Sequence, residues 1–114
     1  MDLKTFQTLS IRTLNLDLTH QEQISNCLLG IAGESGELID LFKKNLYQGH
    51  DLDYNKVHEE LGDIMFYITN LATALEMDME MILENNISKL AKRYPNGFSS
   101  EDSIARVEDR KSVV

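Results

Sequence analysis

Apolar residues recur at helical spacing along most of this chain. Leu3, Phe6, Leu9, Thr13 and Leu14 fall near one stripe, which predicts an amphipathic helix over residues 2–16. Asp17 to His20 break the pattern. Thr19 with Glu22 three positions on forms a capping box, so a second helix is expected to start there. Its apolar face is Ile24, Cys27, Leu28, Ile31, Leu38, Leu41, Phe42 and Leu46, and it ends near Tyr47, before Gly49. The loop Gly49 to Asp53 carries Asp51 and Asp53 as caps for a third helix, Tyr54 to Leu75, with Val57, Leu61, Ile64, Ile68, Leu71 and Leu75 facing a core. Asp78 caps a fourth helix, with Ile82, Ile87 and Leu90 turned inward, which Pro95 and Asn96-Gly97 stop. From Ser99 onward only Ser100 to Val107 has weak helical potential, and a polar stretch follows. Four helices joined by short loops predict an all-α four-helix bundle over residues 1–98 with a C-terminal tail, 99–114.

Charge narrows the function. With 11 basic and 19 acidic residues the chain carries −8, the wrong sign for a duplex nucleic-acid binder, which needs clustered Lys and Arg to displace counterions. A nucleotide substrate is still compatible, because a bound divalent cation reverses the local field. The single Cys27 lies on an apolar face and reads as a buried, inert thiol. No secretory signal and no apolar run long enough to span a membrane are visible, so a soluble, cytoplasmic protein is expected.

The chemistry concentrates in two short stretches, Gly33-Glu34-Ser35-Gly36-Glu37 and Glu59-Glu60-Leu61-Gly62-Asp63. Three residues turn a helix by about 300°, so Glu34 and Glu37 share a face, as do Glu60 and Asp63. Both pairs border apolar core positions, and burying unpaired charge is costly. Lys56 is the one basic residue within a helical turn of either pair. Facing pairs of like charge call for a cation between them, and oxygen ligands alone suit Mg2+ or Mn2+. Gly30, Gly33 and Gly36 lie inside the same helix, each costing roughly 1 kcal/mol against Ala. Close approach by a neighbouring helix or a ligand is the expected reason, a locally weak helix the alternative.

Other residues read more blandly. His20, His50 and His58 are scattered, and Asp17-x-x-His20 falls in a predicted break. Met77, Met79 and Met81 read as packing filler, and Lys43 and Lys44 as surface charges. A di-iron carboxylate bundle would require Glu-x-x-His on two helices, and no such pair occurs. A non-catalytic helical interaction module with solvated acidic faces is the competing reading.

The two carboxylate stretches, followed by Asn86-Ile87-Ser88-Lys89-Leu90-Ala91-Lys92-Arg93-Tyr94-Pro95-Asn96-Gly97-Phe98, resemble the E-x-x-E, E-E-x-x-D and N-x-x-K-L-x-x-R-Y-P-x-G-F motifs of the MazG-like, all-α nucleoside triphosphate pyrophosphohydrolases. The resemblance runs from about Phe6 to Phe98, with Phe66 standing where many relatives carry Trp. It implies Mg2+-dependent hydrolysis, with Mn2+ as a substitute, of an NTP or dNTP between the α and β phosphates. It implies Glu34, Glu37, Glu60 and Asp63 as metal ligands and Asn86, Lys89 and Arg93 as substrate-binding residues. Glu37 and Glu59 are the candidates for the general base. Relatives of this kind assemble as homodimers or homotetramers, and the same is expected here. No base-reading motif is legible.

Overall fold

The computed structural model describes residues 1–109, and all of its described α and 3-10 elements are helical. The described chain has five α-helices: α1 (Leu3–Ser10), α2 (His20–Gln48), α3 (Tyr54–Ala74), α4 (Met79–Arg93) and α5 (Ser100–Ala105). Short 3-10 turns follow α1 and α5, at Ile11–Thr13 and Val107–Asp109. The all-α expectation holds; the count of four helices does not, because α5 forms where only a weakly helical tail was expected. The end of that tail, 110–114, lies outside the described residues.

Helix ends follow local chemistry. At the start of α2 the Thr19 hydroxyl accepts from the Glu22 N–H, and the Glu22 carboxylate accepts from the Thr19 N–H. This reciprocal bond holds Glu22 below the usual carboxylate range. Gly49 ends the helix in the left-handed region, at φ 72°, so that the N–H groups of Gly49 and His50 both turn back to the Lys44 carbonyl. Asp53 caps α3 by accepting from Asn55 and Lys56. The first helix is shorter than its apolar stripe suggests. Ser10 donates to the Gln7 carbonyl, Thr13 to the Ser10 carbonyl, and Asn15 accepts from the Asp17 N–H. Such side-chain bonds compete with the α-helical ladder, and α1 gives way to the 3-10 turn.

The chain divides into two compact units, Met1–Met79 and the part from Glu80 onward. In the first, α2 and α3 pack as an antiparallel hairpin and α1 lies on α3. The register is set where Gly30 meets Tyr67: a Cβ on Gly30 would land in the Tyr67 ring, so only glycine fits. The expected close approach by a neighbouring helix is thus real at Gly30. At Gly33 and Gly36 a Cβ would meet nothing within 4 Å, so that reason fails there within the chain.

Polar bonds tie the far end of this hairpin. His20 Nε2 lies 2.6 Å from the Ala74 carbonyl oxygen. The Gln7 amide donates to the Thr73 hydroxyl and the Met77 carbonyl, and its Oε1 accepts from the Met79 N–H, so α4 receives a cap from α1. Met79 is buried there, whereas Met77 and Met81 are exposed. Packing filler describes only Met79 of the three.

The core is smaller than the apolar stripes predict. Among the described residues Cys27, Ala72 and Met79 are the fully buried apolar side chains. Of the expected core faces, Leu28 (52% exposed), Phe42 and Leu46 on α2, Leu61 (55%), Ile68 and Leu75 on α3, and Ile82 and Ile87 on α4 remain exposed. A closed four-helix bundle within one chain is therefore corrected to a hairpin with α1 on it, plus a separate C-terminal unit. On α2 the uncovered residues include Leu28, Ala32, Ile39, Phe42 and Leu46, spaced by fours, threes and sevens; on α3 they include Tyr54, Leu61, Met65, Ile68 and Leu75. This is the 3.5-residue repeat that seats one helix against another.

In the second unit α4 runs to Arg93, Gly97 takes a left-handed φ of 88°, and Ser99 caps α5 by accepting from the Asp102 N–H. No helix among the described residues is long and apolar enough to cross a membrane.

Candidate metal centre

Where α2 and α3 run side by side, the hairpin register brings the two acidic stretches together. One carboxylate oxygen from each of Glu34, Glu37 and Glu60 lies within 4.8 Å of the others. Glu34 and Glu60 are half-buried and Glu37 is exposed. The Oε2 atoms of Glu34 and Glu60 are buried without a hydrogen-bond partner. Glu60 is pushed above the usual carboxylate range. The main cause is the proton it holds in a hydrogen bond to Glu34; burial and the charges of Glu34 and Asp63 add to it, while a hydrogen bond with Glu37 opposes it.

This arrangement fits a hard cation. Three carboxylates converge, Glu34 and Glu60 each keep a bare, buried oxygen, and among the described residues no nitrogen or sulfur ligand joins the group. A divalent ion would replace the like-charge contact with attraction and satisfy the bare oxygens. Asp63, the fourth expected ligand, is exposed and stands outside this group, although its charge reaches Glu60. Glu59 is exposed on the neighbouring face of α3. Lys44 and Lys43, further along α2, pair with Asp40 at 2.9 and 3.7 Å, which bears out their reading as surface charges, and Lys56 is exposed on α3.

The residues expected to touch substrate belong to the second unit. Asn86 and Lys89 are exposed on α4. Arg93 is paired with Glu108. Nothing in the sequence pattern points to Glu108, which lies 15 residues beyond Arg93. Tyr67 was equally silent; the signal for it was the mid-helix Gly30 that it covers. Cys27 is buried, and burial pushes its thiol up, as expected of an inert core cysteine. Phe66 packs edge-on against Tyr67, centroids 5.2 Å apart, in keeping with a packing role.

An all-α chain whose helices bring glutamates together into a group of carboxylate donors is the class of fold and site seen here, and known families can be compared with it. Residues 22–98 match the MazG nucleotide pyrophosphohydrolase domain, and the chain belongs to that family. It is also 30% identical over 80 residues to the Gene 37 protein of Mycobacterium phage L5, an alignment covering 67% of this chain and 70% of that protein. No solved structure matches.

Proposed function

We propose that this chain hydrolyses nucleoside triphosphates, ribo- or deoxyribo-, between the α and β phosphates, giving a nucleoside monophosphate and pyrophosphate. The observation that carries this reading is the convergence of Glu34, Glu37 and Glu60, two of them with bare buried oxygens, in a chain of the MazG family. Glu34, Glu37 and Glu60 would hold Mg2+ or Mn2+, with Asp63 completing the set from the rim. When bound, the ion supplies charge neutralisation for the triphosphate and acidifies water. The side chains do the rest. Glu37, Glu59 and Asp63 are the exposed carboxylates of the two stretches, and Glu59 or Glu37 can take a proton from an attacking water. Asn86 and Lys89, free on the surface of α4, can bond sugar and phosphate oxygens.

A second copy of the chain is part of this proposal. The exposed seams of α2 and α3 share one repeat and belong to one hairpin, so a second hairpin placed against them would complete a four-helix array. Three fully buried apolar side chains among the described residues are few for a chain of this length. Sedimentation should therefore give a dimer or tetramer at micromolar concentration, and a monomer alone would refute this part.

The deciding experiment separates products. Purified protein with Mg2+ or Mn2+ and a panel of NTPs and dNTPs should release pyrophosphate and monophosphate, and Glu37→Gln and Asp63→Asn variants should lose that release. Diphosphate plus phosphate would overturn cleavage between the α and β phosphates, and no turnover with no metal-induced stabilisation would favour the interaction-module reading instead.

A further inference from the structure

The segment that follows the family match supplies a counter-charge to a residue inside it. Arg93 closes α4, and its Nε and Nη2 both donate to Oε1 of Glu108, in the 3-10 turn Val107–Asp109. The two side chains are only 16% and 5% exposed. Glu108 Oε2 is buried and has no partner. The guanidinium also lies over the Tyr94 ring, 5.8 Å from its centroid. The pairing holds Glu108 below and Arg93 above their usual ranges, each chiefly through the hydrogen bond to the other.

Little else in the intervening segment is built to stay down. Ile104 is 84% exposed and Val107 about half. The Ser99–Asp102 cap and the Arg106–Asp109 pair, at 2.7 Å, are internal to the segment. Arg106 itself sits in the left-handed region, at φ 44°, which strains a residue with a side chain. A guanidinium fork accepts carboxylate and phosphate alike, and phosphate brings more oxygens and more charge. With one oxygen taking both N–H groups and the other left bare, Glu108 fills the site incompletely.

We propose that Glu108 is an internal occupant of an anion site at Arg93, and that residues 99–109 form a strap which a polyphosphate chain displaces. With the strap closed, Arg93 is neutralised. With it open, Arg93 can take phosphate oxygens. The identity of the anion rests on the nucleotide-hydrolysing reading given above; the exchange of carboxylate for phosphate rests on the geometry of the pair.

The test uses the full chain without metal, so that no hydrolysis occurs, with tripolyphosphate standing for substrate and pyrophosphate for product. Hydrogen–deuterium exchange of the backbone amides in 100–109 should quicken on addition of either anion, and the anion effective at lower concentration names the end of the reaction that the strap serves. Calorimetry should show Glu108→Gln binding that anion about tenfold more tightly than the unaltered chain, because a tethered competitor at roughly millimolar effective concentration has been removed. Exchange that is unchanged or slowed by both anions overturns the strap, whatever the variant does. So does equal affinity in the two proteins, or no binding to either; the pair is then a fixed clamp. A failure of the hydrolase reading would show instead in the metal-dependent product assay and would leave these two readouts untouched.

Discussion

Glu60 and Glu108 are both carboxylates taken partly or wholly out of water, and their surroundings push them in opposite directions. Glu60 looks onto Glu34, Glu37 and Asp63, is driven up, and keeps a bare buried oxygen. Glu108 looks onto Arg93 and is held down. At the C-terminal pair the chain provides its own counter-charge. Between α2 and α3 no ion pair reaches Glu34, Glu37 or Glu60 among the described residues, although Lys43 and Lys44 stand about two turns beyond Glu37 and are engaged with Asp40. A fold that can place lysines so near and yet leaves three glutamates facing one another has left room for a cation from outside. The comparison separates a carboxylate whose counter-charge the chain supplies from a cluster of carboxylates that could hold a divalent cation.

The largest expected difference between the two regions is in turnover. Glu60→Gln should lower pyrophosphate release by on the order of 10²–10³, the usual scale for removing one group that stabilises developing charge. Glu108→Gln should retain turnover and lower KM. Steady-state assays on both variants check this, and equal losses would erase the contrast. Next comes the response to metal. Mg2+ at about a hundred times its Kd should add about 2.7 kcal/mol, a rise in Tm of roughly 10 °C, and Glu60→Gln should abolish the rise while Glu108→Gln keeps it.

How firmly the hairpin presses its glutamates together can be tested at Gly30. Gly30→Ala drives a methyl into the Tyr67 ring and should cost about 1–3 kcal/mol in denaturant titration. Gly36→Ala, facing open space, should instead stabilise the chain by up to about 1 kcal/mol, unless a second copy or a ligand comes close there.

The smallest effect is a pair of opposed slopes with pH. In metal-free protein the folded chain holds the Glu60 proton more tightly than the unfolded chain does. As pH rises from the ordinary carboxylate range, about 4.3, through the raised value, the unfolded state ionises first and stability falls. Glu108 contributes fully above that ordinary range and loses its contribution as pH falls through its depressed value. Tm against pH should therefore lose its neutral-side decline in Glu60→Gln and part of its acid-side decline in Glu108→Gln.

What could be read from sequence was whatever depends on neighbours in the chain. The capping box at Thr19 and Glu22, the stop at Gly49, the cap at Asp53 and the break at Pro95 and Gly97 are local bargains between side chain and backbone, and each stands in the fold. So does the sharing of a face by Glu34 and Glu37. The convergence with Glu60 followed from the two stretches together. Other features depend on distant partners. That Gly30 is needed for Tyr67 while Gly33 is not could not be told from three equally spaced glycines. Arg93 has the same local setting whether or not a glutamate returns from residue 108. The apolar stripes marked every helix face that wants covering, without saying whether this chain covers it; for Leu28, Leu61 and Ile87 it does not.

Gln7 has a consequence for how the chain is made. Its amide belongs to α1, but the N–H it caps, on Met79, is encoded 72 residues later. At roughly 5–20 residues per second, several seconds of synthesis separate the two. During that interval α1 has no α3 to lie on, and α2 emerges with both its apolar stripe and its glutamates uncovered. The fourth helix thus gets its cap from a segment made well before it, so loss of α1 would be felt in how α4 begins.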